Sequence, residues 1–160
     1  MSRVIKIIGL AGGVAALGLL VASASLASTH AKHAKKAHAV KVQHVRIVIK
    51  SDDEHGKKGS DGKWHDSFLP ANFKVHKGAK VVVTVKNFDD MPHSFTSPSL
   101  HVNKVIKAAK DVKNGKVKGV TTRFSFKAKR AGKFLWWCNK PCDPWAMAHV
   151  GFMRGYVKVK

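Results

Sequence analysis

The sequence has little negative charge. Only 9 Asp and Glu residues stand against 30 Lys and Arg residues, and the formal net charge is +21. Such a field attracts nucleic acid, anionic lipid, acidic polymers or an acidic protein. The lysines are spread along the chain instead of lying in one arm, which favours collision with an acidic protein over the reading of nucleic-acid bases. Solubility in an acidic or saline medium is an alternative explanation.

Motifs of common enzymes are also absent. The sequence has no glycine-rich phosphate loop, no Gly-x-Ser-x-Gly nucleophile elbow and no His-Glu-x-x-His zinc motif. Its few acidic residues cluster in 51–66 and at Asp89 and Asp90, where pairing with loop lysines is the simplest interpretation. We therefore expect no active site of the chain's own, and a catalytic role only as one subunit of an oxidase.

The N-terminal residues have the pattern of an export signal. A short basic segment ending at Lys6 precedes an apolar run over 7–21, and small residues suited to cleavage follow. We predict a signal peptide or membrane anchor over 1–27 and an Ala/Lys/His-rich linker over 28–41. The folded part is then extracytoplasmic, meaning periplasmic, secreted, or membrane-anchored and facing outward. Export argues against a nucleic-acid partner.

The rest of the chain, 42–160, has the alternation of a β-protein. Apolar and polar residues alternate in four clear segments, 45–50, 73–76, 80–86 and 122–127, and Val157 and Val159 face one way in a closing segment. Several short alternating strands separated by turns predict a single all-β sandwich domain. A weak helical period over 104–112 predicts at most one short helix there.

Soft metal donors are concentrated near the C-terminus. Both cysteines, Cys138 and Cys142, lie there among tryptophans, followed by His149 and Met153, and His93 lies upstream at the end of a predicted strand. Thiolate, imidazole and thioether groups together select copper over hard cations. We interpret the other histidines outside the linker as surface residues: His44, His55, His65, His76 and His101.

From about Phe68 to Lys160 the chain resembles a cupredoxin. It is most similar to the copper (CuA-type) domain of cytochrome c oxidase subunit II and to related small secreted cupredoxins. The shared features are the strand 81–87, the following Pro92–Phe95 segment, the turn entering Phe134, and the Cys-rich loop ending in 151–155. The resemblance implies a Greek-key β-sandwich.

The resemblance also implies a ligand set and a role. His93 is the expected upstream ligand; Cys138 or Cys142, His149 and Met153 are the expected loop ligands, and copper is the cofactor. The expected function is single-electron transfer by an exported protein. Its expected partner is an acidic redox protein such as a cytochrome or an oxidase.

Two kinds of copper centre fit this part of the sequence. The spacing of Cys138 and Cys142 resembles a dinuclear CuA centre, to which the carbonyl of Lys140 also contributes in that family. The loop from Cys142 to His149 is longer than the family's, which favours a mononuclear site of His93, Cys142, His149 and axial Met153. Both remain open.

Other interpretations do not require electron transfer. Two cysteines in an exported protein are usually bonded, so a Cys138–Cys142 disulfide in a metal-free basic β-sandwich is one alternative. A copper storage or delivery protein without redox turnover is another, and zinc bound by the same residues is a third.

Overall fold

The computed structural model describes residues 41–53, 55–112 and 116–160. The predicted signal or anchor over 1–27, and the linker up to residue 40, lie outside the described residues, and those boundaries stay predictions. No helix in the described part of the chain is long and apolar enough to cross a lipid bilayer.

Short strands make up most of the described structure. In chain order they are β1 (Val42–Lys50), β2 (Lys57–Lys58), β3 (Trp64–His65), β4 (Ser67–Leu69), β5 (Phe73–Val75), β6 (Lys80–Asn87), β7 (His93–Ser97), β8 (Val102–Ile106), β9 (Lys110–Val112), β10 (Lys116–Lys118), β11 (Val120–Lys127), β12 (Gly132–Trp137) and β13 (Arg154–Val159). A 3-10 turn spans Pro98–Leu100, and a single-turn helix, α1, spans Pro144–Ala148.

Two sheets form a sandwich. One has the strand order β11-β6-β1-β4 and the other has the order β5-β13-β12-β7-β8. The pairs β2–β3 and β9–β10 form small separate ribbons. The predicted all-β sandwich is therefore confirmed.

The buried core follows the predicted alternation. Val81, Val83 and Val85 of β6 have no exposed surface, and β1 buries Ile47 and Ile49 equally well. Burying one such side chain stabilises the fold by about 1.5–3 kcal/mol. The intervening residues, Val48 and Val82 among them, are more exposed, so the register of each strand is determined by which face meets the core.

No helix forms over 104–112, where the sequence allowed at most one short helix. The structure has β8 and β9 in this region, and β8 pairs along its whole length with β7. Val102 and Ile106 are buried with three exposed residues between them. A spacing of four fits a helical face and a strand's period of two equally well, and the ladder with β7 decides for the strand.

The helix of the described chain lies instead in the Cys-rich loop. The side chain of Asp143 accepts a hydrogen bond from the Ala146 N–H, and Pro144 occupies the first helical position. Both residues are typical of a helix N-terminus. The Asp-Pro pair at its start was readable in the sequence.

Candidate metal centre

Strand pairing brings His93 and Cys138 together. Trp137, the last residue of β12, pairs with Thr96 of β7. Cys138, which follows Trp137, and His93, the first residue of β7, therefore lie at the same edge of the sheet. The Ser94 N–H donates a hydrogen bond to the Cys138 sulfur over 3.3 Å. The Nδ1 atom of His93 lies 3.9 Å from that sulfur. His93 is fully buried and Cys138 is 1% exposed.

The turn after β12 places the thiol of Cys142 beside that of Cys138. The sulfur atoms of Cys138 and Cys142 lie 3.5 Å apart, and both cysteines are free. The carbonyl oxygen of Lys140 lies 3.8 Å from the first sulfur and 3.2 Å from the second. One nitrogen of His93 and the two sulfurs all lie within 4.8 Å of one another. These two thiols and one imidazole are soft to borderline donors, so the set fits copper better than a hard cation.

The pKa values of the three donors are perturbed in opposite directions. A hydrogen bond from the Cys142 thiol, with a second from His93, lowers the pKa of Cys138 to about 4. Donating that bond, together with burial, raises the pKa of Cys142. Burial lowers the pKa of His93, but its bonds to Asp89 and Cys138 outweigh burial and raise it to about 9. In the metal-free centre these shifts favour negative charge on Cys138 and protons on Cys142 and His93.

Two buried carboxylates lie on the other side of the His93 ring. The Nε2 atom of His93 is 2.7 Å from a carboxylate oxygen of Asp89, and a ligand atom of Asp66 lies within 4.8 Å of both. Burial, followed by the charge of Asp89, raises the pKa of Asp66 to about 6. Burial alone would raise the pKa of Asp89, but the hydrogen bond from His93 lowers it overall.

His149 and Met153 occupy different environments from the other predicted ligands. Met153 is fully buried, and its backbone carbonyl accepts a hydrogen bond from the Cys138 N–H over 2.8 Å. His149 is exposed, its Nδ1 atom lies 2.7 Å from the Trp145 carbonyl oxygen, and its ring stacks on Trp145 at 3.7 Å. The structure thus brings together His93, Cys138 and Cys142, while His149 lies outside that group.

His65 is not the surface residue that the sequence suggested. It is 6% exposed and lies between two carboxylates, with Nδ1 2.6 Å from Asp143 and Nε2 3.0 Å from Asp61. Its ring stacks on the ring of Trp145, with 4.1 Å between the ring centroids, and His149 stacks on the same Trp145 ring. Folding the β2–β3 ribbon against the Cys-rich loop buries it.

Three carboxylates pair with histidines, where the sequence suggested loop lysines as partners. Asp61 and Asp143 contact His65, and Asp89 contacts His93. Imidazole rings are short enough to be buried with their partners, whereas a lysine keeps its ammonium group in water.

An acidic cavity lies beside the thiol pair. It has a volume of about 570 Å³, and its lining includes Cys142. Six of the nine acidic residues of the chain line it: Asp52, Asp53, Asp66, Asp89, Asp90 and Asp143. A protein with a large positive charge therefore surrounds one end of its candidate metal centre with negative charge.

The carboxylates of Asp66 and Asp89 were expected to pair with loop lysines, not to lie beside the metal centre. One signal was present, because Asp89 precedes His93 by four residues, just as Asp61 precedes His65. In both pairs the structure joins the carboxylate to the ring. Asp66 has no comparable sequence signal, because only the folded chain brings it near His93.

Comparison with known proteins agrees with this architecture. The family model of the cupredoxin-like domain matches residues 14–144 of the chain. No curated protein matches it.

Several solved structures resemble the chain at low sequence identity. The multicopper oxidase mgLAC aligns with a TM-score of 0.50 and 18% identity over 74% of this chain and 39% of its own. The purple cupredoxin of Nitrosopumilus maritimus aligns at 0.40 and 22%, over 72% and 99%. The copper nitrite reductase of Nitrosomonas europaea aligns at 0.48 and 18%, over 75% and 42%. The chain spans less than half the length of the oxidase and the reductase, and these likenesses concern the fold. By the match over most of its length, the chain belongs to the cupredoxin-like domain family.

Proposed function

We propose that this protein is an exported copper-binding cupredoxin that carries single electrons. The observation that carries the proposal is the convergence of His93, Cys138 and Cys142, whose ligand atoms lie within 4.8 Å of one another at a buried sheet edge. Copper bound there supplies a one-electron couple.

The chain's own residues are suited to holding such a metal. His93 and Cys138 are fixed by paired strands, and the Ser94 N–H supports the thiolate. Burial of both excludes water from one side of the centre. Donors on rigid strands keep their positions when the charge of the bound group changes, which is the property that an electron carrier requires.

The finer proposal is a CuA-type centre like that of cytochrome c oxidase subunit II. Three features support it: two thiols 3.5 Å apart, a common contact with the Lys140 carbonyl oxygen, and the nearby imidazole of His93. The mononuclear alternative leaves one thiol without a role. His149 and Met153 stay predicted ligands for either centre.

Copper stoichiometry and spectra test this proposal. The copper-loaded domain is expected to hold two coppers per chain with a mixed-valence electron paramagnetic resonance pattern. Cys142→Ser is expected to lose that pattern, whereas Ser125→Ala, at an exposed position of β11, keeps it. One copper with thiolate charge-transfer bands would establish the mononuclear centre, and no bound copper would end the proposal.

We further propose that the partner is an acidic redox protein outside the cytoplasm. The excess of lysine and arginine over acidic residues supports an electrostatically guided encounter, and the pattern of 1–27 supports export. The rate of electron exchange with an acidic soluble cytochrome should fall as salt is added, because added ions screen exposed charges. A rate independent of salt contradicts this part alone.

Copper storage or delivery is a second candidate, favoured by one observation. Cys142 is half-buried and lines the acidic cavity, which offers a cation a route to the thiol. The transfer of bound copper to a chelator distinguishes the candidates. Exchange within seconds favours delivery, whereas retention over hours, with a reversible reduction potential, favours electron transfer.

A further inference from the structure

The hydrogen bonds of the His93 ring assign different tasks to its two nitrogens. The Nδ1 atom faces the Cys138 sulfur, while Nε2 lies 2.7 Å from the Asp89 carboxylate. A carboxylate only accepts hydrogen bonds, so Nε2 carries a proton and donates it to Asp89. Nδ1 is then the nitrogen left for a metal beside the thiol pair.

The Asp89 carboxylate is itself held rigidly. Its second oxygen accepts a hydrogen bond from the Met91 N–H over 2.9 Å, and its own N–H donates to the side-chain oxygen of Asn87 over 3.0 Å. The amide of Asn87 donates to the carbonyls of Met91 and Lys107. Because Asn87 is the fully buried end of β6, this network ties the carboxylate to the first sheet.

We propose that Asp89 is a positioning residue of the metal centre, which fixes the ring of His93 through Nε2 and so commits Nδ1 to copper. The inference rests on the proposed copper function. A carboxylate behind a ligating histidine orients the ring and raises its basicity, and loss of such a partner typically lowers metal affinity about 10- to 100-fold.

Substitution by asparagine tests this role with little change of shape. Asp89 accepts from two fixed donors, the Met91 N–H and the His93 Nε2–H. Asparagine has one acceptor oxygen, so its NH₂ group must face one of those donors. Asp89→Asn therefore loses the hydrogen bond from His93 Nε2–H or the one from the Met91 N–H, because a single acceptor oxygen cannot serve both donors in their fixed positions.

Two matched variants serve as controls. Asp90→Asn removes an exposed carboxylate one residue away. Asp66→Asn removes a buried carboxylate near His93 that makes no hydrogen bond to it. Each removes the same charge as Asp89→Asn, so a general electrostatic effect would appear in the controls as well.

The first measurement needs no metal. Nitrogen-15 NMR of the reduced, metal-free wild-type protein should show a downfield His93 Nε2–H proton protected from exchange with water. Asp90→Asn and Asp66→Asn should keep this signal, and Asp89→Asn should lose it or move it upfield. If the wild-type protein lacks the protected proton, the proposal is overturned.

The second measurement is copper affinity and reduction potential. Asp89→Asn should bind copper about 10- to 100-fold more weakly than wild type. Its reduction potential should be higher, because the Asp89 carboxylate makes the wild-type His93 ring more basic and a more basic ring favours Cu(II). A tenfold greater loss for Cu(II) than for Cu(I) corresponds to a rise of about 59 mV.

The outcomes separate this inference from the proposed function. Copper binding by all four proteins with equal affinity and potential overturns the role of Asp89 and leaves the copper function intact. Absence of copper binding in the wild-type protein overturns both.

Discussion

The candidate centre has a strand half and a loop half. The strand half is His93 and Cys138, at the ends of β7 and β12, where a ladder of backbone hydrogen bonds determines which residues meet. The loop half runs from Cys142 to Met153 and contains α1, which separates the exposed His149 from the buried thiol pair. Neighbours on paired strands follow from register, whereas neighbours in a loop depend on local turns. The strand half is therefore the more strongly determined part of the site.

The largest expected difference in copper affinity is between a variant of the strand half and a variant of the loop half. His93→Ala should lower the copper affinity by about 100-fold or more, because it removes the imidazole of the converging group and leaves the metal to the two thiols. If the His149 ring keeps its exposed position and its bond to Trp145 when copper binds, His149→Ala should change the copper affinity less than about threefold. Titration with copper under reducing conditions measures both affinities. A large loss in His149→Ala would show that the loop half rearranges when the metal binds.

The second effect is on the thiolate. The metal-free reduced protein should keep one thiolate down to a pH of about 4, because the hydrogen bonds of Cys142 and His93 lower the pKa of Cys138 to that value. His93→Gln removes a group that lowers this pKa, so the midpoint should move to higher pH. Ultraviolet thiolate absorbance against pH measures it, with His149→Gln as the control. Equal midpoints in the two variants would contradict the coupling of His93 to Cys138.

The smallest effect concerns α1 in the loop half. Asp143→Ala removes the N-cap of that helix and one partner of His65. Loss of an N-cap typically costs about 1 kcal/mol. Chemical denaturation should show a decrease of that order in the free energy of unfolding, while Asp53→Ala, at an exposed position, should show none. Copper binding by the strand half should survive in both, and its loss in Asp143→Ala would show that the two halves are coupled.

The fold was accessible from the sequence to a large degree. Alternating valines and isoleucines in β1 and β6 predicted strands with one buried face, and burial of that face leaves only one register. The sequence left the region around 104–112 undecided, because a spacing of four, such as that between Val102 and Ile106, does not distinguish strand from helix. Only pairing with β7 resolves that ambiguity.

The candidate site was accessible only in part. The donors His93, Cys138 and Cys142 could be named from their chemistry. The carboxylates near His93 could not, because their meaning depends on burial. In the sequence, Asp66 and Asp89 look like solvated loop residues, whereas in the structure both are buried and adjacent to the ring.

The sequence by itself determined the strand pattern, the soft donors and the excess of positive charge, since each depends on residue type and spacing alone. The tertiary structure decided that two thiols and one imidazole converge, that His149 lies outside them, and that six acidic residues surround a cavity in a basic protein. Those facts depend on distances between residues far apart in the chain, and such distances exist only after the two sheets have packed.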